Sequence, residues 1–188
     1  MEGQERLLFR RRLLALLRDS FIYNREPLYT LSSGRTSRFY IDCKRVTLDP
    51  EGAFLAGQLL LDALADSELD GVGGMTLGAD PLAVAVAVLS YGTDRPLRGF
   101  LVRKEPLGRG PWPHIEGSLA AGARVAIVDD VLTGGRAIER TIRIVTEAGF
   151  RVAGVWALVD RKEGGAEYLR QRGFAVSSLF TVEDLLKA

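Results

Sequence analysis

Residues 125–137 read VAIVDDVLTGGRA, and the adjacent acids Asp129 and Asp130 in that string are the first place to look for chemistry. A short apolar run ends on two carboxylates that repel each other, and burying either without a partner is costly. Such a pair asks for a cation or for a ligand rich in hydroxyls. Directly behind it, Thr133, Gly134 and Gly135 open what reads as a helix. Small residues there let backbone N–H groups converge, and a helix N-terminus carries positive partial charge, so a phosphate can sit on it. Acids followed by such a cradle suit a sugar phosphate, with the carboxylates accepting from ribose hydroxyls. No Gly-Lys-Ser/Thr follows, so this is not a Walker loop, and glycines placed after two acids are not a dinucleotide fingerprint. An ordinary strand-to-helix turn, with Asp as cap and Gly for tight geometry, also accounts for the glycines alone. The complete string favours the ligand.

The elements that must hold these residues follow from periodicity. An amphipathic helix opens the chain (RLLFRRRLLALLRDSF), and short β-rich runs follow near Leu28–Leu31 and Phe39–Ile41. Helical spacing resumes from Pro50; GVGGM then reads as a strand, with a helix behind Asp80-Pro81. Strands are predicted at Arg98–Arg103, Arg124–Val128, Arg151–Val159 and Ala175–Phe180. Helices are predicted at Gly135–Ala148, Ala166–Arg172 and the C-terminus, and Lys104–Gly117 reads as a Gly/Pro-rich loop. Alternating strands and helices, with near-continuous apolar strands, predict an α/β fold: a central, mostly parallel sheet flanked by helices. Ligands bind beyond the carboxyl ends of such strands. Asp129–Asp130, Arg103–Lys104 and Asp160–Arg161 each sit at one of those ends.

Composition narrows the classes. At 188 residues the chain suits one domain, and 47% hydrophobic with 26% charged residues is ordinary for a soluble globular protein. A net charge of +1 supplies no global field for nucleic acid or membranes, so neither is expected as a partner. Cys43 is the one cysteine and His114 the one histidine, which rules out an internal disulfide framework and argues against a zinc site. No apolar run approaches the ~18 residues of a membrane span. Arginines interrupt the apolar N-terminus, unlike a signal peptide, and Arg10–Arg12 read as a solvated helix face. The cytoplasm is the expected compartment.

VAIVDDVLTGGRA resembles the phosphoribosyl-diphosphate (PRPP) motif of type I phosphoribosyltransferases. TLSSGRTSRFYIDCKR, GGMTLGADPLA, FLVRKE, IEG and ALVDR resemble, in order, segments of the orotate phosphoribosyltransferase family, and together they span nearly the whole chain. The resemblance implies a type I phosphoribosyltransferase core over residues 49–188, with an N-terminal helix and small hood over 1–48. It also implies conversion of orotate and PRPP to orotidine 5′-monophosphate and pyrophosphate with Mg²⁺, in pyrimidine synthesis. Carried over by position, Asp129 and Asp130 hold the ribose hydroxyls near a metal bound mainly through PRPP, and Thr133, Gly134, Gly135, Arg136 and Ala137 cradle the 5′-phosphate. Arg103 and Lys104 meet the pyrophosphate. Phe39 and Tyr40 form the base platform, with Thr133 and Arg161 also on the orotate side. The resemblance further implies a homodimer whose subunits lend loops across the active sites, an interface in which Lys44 and Arg45, otherwise read as surface charges, can take part.

The loop RKEPLGRGPWPHIEG departs from the family's pattern of Arg-Lys-Glu, small, Lys, small or acidic, His, Gly. Leu107 stands at the lysine position and Arg109 at the histidine, and Pro111 and Pro113 stiffen the segment. Residues two apart in an extended segment point to the same side, so Arg109 is assigned the leaving-group role and Leu107 that of an apolar lid. Arg136 replaces a small or hydroxyl residue, and Ser32 lies where some members carry a base-contacting lysine. His114 reads as a loop residue, and Trp112 as either a lid or a dimer contact. Two other readings stay open: a weakly catalytic or regulatory PRPP-binding homologue, and a transferase for another base.

Overall fold

The structure, a computed structural model, describes residues 3–23, 29–30, 36–37, 39–107 and 112–187, with backbone alone at 23, 29–30, 36–37 and 39. In chain order the elements are α1 (Gly3–Asp19), β1 (Phe21–Tyr23), β2 (Tyr29–Thr30), β3 (Thr36–Ser37), β4 (Phe39–Ile41), α2 (Lys44–Thr47), α3 (Pro50–Leu64), β5 (Gly71–Met75) and α4 (Asp80–Ser90). They continue with β6 (Arg98–Val102), β7 (Ile115–Gly117), β8 (Arg124–Leu132), α5 (Arg136–Glu147), β9 (Arg151–Asp160), α6 (Gly165–Arg170), β10 (Val176–Thr181) and α7 (Val182–Leu186).

The apolar runs become a six-stranded sheet ordered β10-β9-β8-β5-β6-β7. Every pairing in it is parallel except that of β7, which runs antiparallel to β6. Strand β8 shows why the runs are continuous. Val125 and Ile127 join one core with Ile138 and Ile142 of α5 and Leu169 of α6. Ala126 and Val128 join the other with Leu59 of α3, Leu82 of α4 and Leu13 and Leu17 of α1. A strand covered on both faces cannot alternate polar with apolar. The α/β fold with helices on both sides of a mostly parallel sheet is therefore as expected.

Local chemistry sets the helix starts. The Asp49 side chain accepts from the N–H groups of Glu51 and Gly52, with Pro50 at the first turn of α3. Thr181 and Asp184 form a reciprocal capping box on α7. The stretch expected to be a hood holds two small antiparallel ladders, β1–β4 and β2–β3, outside the main sheet. Of the run at Leu28–Leu31, Tyr29–Thr30 is described, as β2.

Three expectations change. Strand β8 does not stop at Val128 but pairs with β9 as far as Leu132 opposite Asp160, because ladder bonds belong to the backbone and survive the change to acidic side chains. The segment read wholly as loop from Lys104 ends in β7, whose three residues gain their extended form by pairing with Phe100–Val102. The short helix α2 was not anticipated; a single turn leaves no periodicity to read. Among the described residues no helix is long and apolar enough to cross a membrane.

Candidate active site

Strands β9, β8, β5 and β6 are neighbours, so their carboxyl ends bring Arg161, the acidic pair, the Thr76–Ala79 turn and Arg103–Lys104 to one edge. The acids sit at its centre, both half-buried. Asp129 Oδ1 accepts the backbone N–H of Asp130 at 3.0 Å. Burial pushes the Asp129 carboxyl well above the ordinary carboxylate range, and the charge of Asp130 pushes it further. Burial also raises Asp130, with the positive charge of Lys44 opposing. Lys44 is itself held by Asp42, Nζ to Oδ1 2.7 Å. Across the pair, a Cβ added to Gly78 would lie 2.3 Å from Asp130 Oδ1 and 3.1 Å from Asp129 Oδ1, so a larger residue there would displace the Asp130 carboxylate.

Two carboxylates facing a ligand site suit Mg²⁺, which prefers oxygen donors and usually takes one or two carboxylates plus substrate oxygens. The described residues hold no group of three or more His, Cys, Asp or Glu that could cage a metal alone. Any ion here would need the ligand to complete its shell.

The bend expected to cradle a phosphate turns on one residue's backbone. Gly135 precedes α5 in the left-handed region, φ 82°, and a Cβ there would meet the Gly165 carbonyl oxygen at 3.0 Å and the Tyr168 ring at 3.1 Å. No side chain caps α5, leaving its first-turn N–H groups for a ligand. Gly134, Arg136 and Ala137 are exposed and Thr133 is half-buried. Behind the cradle, Glu139 of α5 accepts from the Tyr168 hydroxyl at 2.6 Å and from Arg172 Nε at 2.7 Å, bracing α6 against α5.

Arg161 follows β9, its N–H donating to the Leu132 carbonyl at 3.0 Å. Its side chain is 5% exposed, with Nη2 2.9 Å from Glu163 Oε1. Arg103 bonds His114 through the backbone and turns its guanidinium to Glu116 of β7, 3.4 Å away, rather than toward the acids. Lys104 is exposed, and its carbonyl accepts from Arg140 at 2.7 Å. Leu107 is half-buried, with its N–H donating to the Pro113 carbonyl at 2.7 Å, which joins the two stems of the loop. His114 Nδ1 lies 3.0 Å from the Arg103 carbonyl oxygen, a loop-closing contact as its reading as a loop residue implied. Trp112 packs on Phe150 at 4.9 Å. Tyr40 is exposed on β4, which leads through Asp42 and Cys43 to Lys44. Arg109, Pro111 and Ser32 lie outside the described residues, as does the side chain of Phe39.

The fold thus gathers the acids, the cradle and Arg161, with Lys104 at the rim. Lys44, Gly78 and Glu163 were not singled out for this site. The readable signals were the i, i+2 pair Asp42–Lys44 and the i, i+2 pair Arg161–Glu163; nothing local betrays the approach of Gly78.

No protein-family model matches the chain. Orotate phosphoribosyltransferase of Aquifex aeolicus is 44% identical over 161 residues, covering 86% of this chain and 88% of that protein. The enzyme of the same name from Thermosynechococcus vestitus is 45% identical over 178 residues, covering 94% and 92%. The crystal structure of the Mycobacterium tuberculosis orotate phosphoribosyltransferase in complex with PRPP superposes with a TM-score of 0.78 at 36% identity, covering 94% of this chain and 98% of that one. Likeness of sequence and fold over nearly the full length, on a sheet edge that carries an acidic pair before a helix N-terminus, means that the chain belongs to the orotate phosphoribosyltransferase family.

Proposed function

We propose that this protein transfers the phosphoribosyl group of PRPP to orotate, giving orotidine 5′-monophosphate and pyrophosphate in pyrimidine synthesis. The observation that carries the reading is the half-buried Asp129–Asp130 pair at the mouth of an uncapped helix N-terminus. The α5 N–H groups and Arg136 hold the 5′-phosphate, and the carboxylates accept from the ribose hydroxyls. The bond from ribose C1 to the pyrophosphate oxygen breaks as the bond to the orotate ring nitrogen forms, the proton on that nitrogen passes to the departing pyrophosphate, and positive charge gathers on the sugar between. Lys104, with Arg109, neutralises the leaving pyrophosphate, and the acids lie on the sugar's side of the break. Bound Mg²⁺ would supply further neutralisation of the phosphate oxygens. No covalent nucleophile is called for, and Cys43, the one thiol, is fully buried with its pKa pushed up by that burial.

The reading extends to a homodimer. Val84, Val88 and Tyr91 recur at i, i+4 and i+7 along α4 and its end, and with Leu48 and Leu77 they are exposed apolar side chains of the kind that interfaces cover. The single free thiol fits a reducing compartment, which is where we place the protein, in the cytoplasm.

The test is orotate-dependent pyrophosphate release with PRPP and Mg²⁺. Turnover with orotate is the expected result. PRPP binding without turnover would favour the weakly catalytic homologue, for which Leu107 in place of the family's lysine is the motive, and turnover only with another base would reassign the acceptor.

A further inference from the structure

The opposite edge of the sheet carries a feature that the transfer reaction does not use. Strands β6, β8 and β9 begin on Arg98, Arg124 and Arg151, and all three, with Arg95, line one cavity of about 620 Å³. Arg124 and Arg151 are register partners on adjacent strands, and Arg98 is level with Gly71 on the far side of β5. Like charges on adjoining strands repel and cost stability. Two carboxylates, Glu68 and Asp70, line the same cavity and offset only part of that charge. Asp70 Oδ2 is taken by the backbone N–H of Arg124 at 2.7 Å. Glu68 Oε1 lies 3.7 Å from Arg95. Among the described residues the other three guanidiniums bond only to backbone carbonyls and one hydroxyl: Arg98 to Ser118, Arg124 to Glu68 and Arg151 to Gly122.

We infer that this cavity is a polyphosphate-binding site at the amino-terminal edge of the sheet. Guanidinium forks match phosphate oxygens two at a time, and four lining one cavity against two carboxylates leave an excess of positive charge that suits an anion with several charges on a short chain. Among the described residues no aromatic side chain lines the cavity to stack a base, so the phosphate chain is what is recognised. The ten residues of β9 separate this edge from Arg161 by roughly 30 Å. A ligand here is therefore distinct from the PRPP of the proposed reaction.

The experiment is calorimetric titration with sodium tripolyphosphate in EDTA, on the parent chain, on Arg124→Gln with Arg151→Gln, on Arg98→Gln alone, and on Asp129→Asn with Asp130→Asn. The expected result is one tripolyphosphate per chain, kept by the Asn variant, weakened at least tenfold by the double Gln variant and several-fold by Arg98→Gln. The thermal midpoint of the double Gln variant should not fall, since a repulsion has been removed. Equal affinity for UTP and tripolyphosphate would support recognition of the phosphate chain alone, and tighter UTP binding lost in the same variants would support a nucleotide source. Parent-like binding by both Gln variants would overturn the site as an ordinary solvated face. Displacement of tripolyphosphate by a much tighter single-stranded RNA oligomer would overturn it in favour of a nucleic-acid surface.

Discussion

Arg161 is a buried cation at the rim of a site proposed to take an anionic base, and its guanidinium is already engaged by Glu163. That pairing keeps the charge in place in the absence of substrate; an orotate carboxylate would add a second anion to the same guanidinium. Neutral uracil would add none and would leave the guanidinium facing a ring with no charge to meet it, a difference of a few kcal/mol. Replacing Arg161 with Ala should therefore reduce the preference for orotate over uracil by roughly 10²-fold. Steady-state rates with the two bases decide it, and an equal loss with both would remove Arg161 from the base site. Its place beyond the strand end was legible from ALVDR alone. Its partnership with Glu163 was not drawn from the sequence, although only Lys162 lies between them.

At the scale of elements, the apolar runs predicted β5, β6, β8, β9 and β10 and the helices between them, because burial on both faces writes itself as an unbroken hydrophobic string. The acids hid the last four of the nine residues of β8, since a reading of side chains ends where the apolar residues end while the ladder with β9 continues. The strand β7 was illegible for a different reason: its three residues are extended by their partner, not by propensity. Helix α4 was legible as a helix, and its outer face carries the clearest consequence. Val88 is 67% exposed and Tyr91 86%, and the proposed homodimer would cover them. Val88→Glu with Tyr91→Glu should turn a dimer into a folded monomer in sedimentation velocity. A parent chain that is monomeric at tens of micromolar, or a variant that stays dimeric, would discard this face as the interface.

Taken whole, the molecule sets its adjacent acids, with Arg161 and Arg103–Lys104, at the carboxyl ends of its strands and a second group of arginines at the amino ends. What makes the acidic end a site is that the fold tolerates a cost there. The carboxyls of Asp129 and Asp130 are both raised by burial, so their contribution is favourable while protonated and is lost as pH climbs from the unfolded carboxylate value through the folded ones. Ionising the pair therefore costs the fold, and the proposed ligand, with its hydroxyls and cation, would offset that cost. Gly78 approaches that pair through tertiary packing that no local pattern announces, whereas Gly135 was legible in the Thr-Gly-Gly string. The most direct measurement is PRPP titration calorimetry, with Mg²⁺ present, on Asp129→Asn with Asp130→Asn, alongside its thermal unfolding. The account predicts a folded variant whose midpoint at neutral pH is no lower than the parent's and whose PRPP binding has disappeared. A folded variant that binds PRPP as tightly as the parent would contradict it.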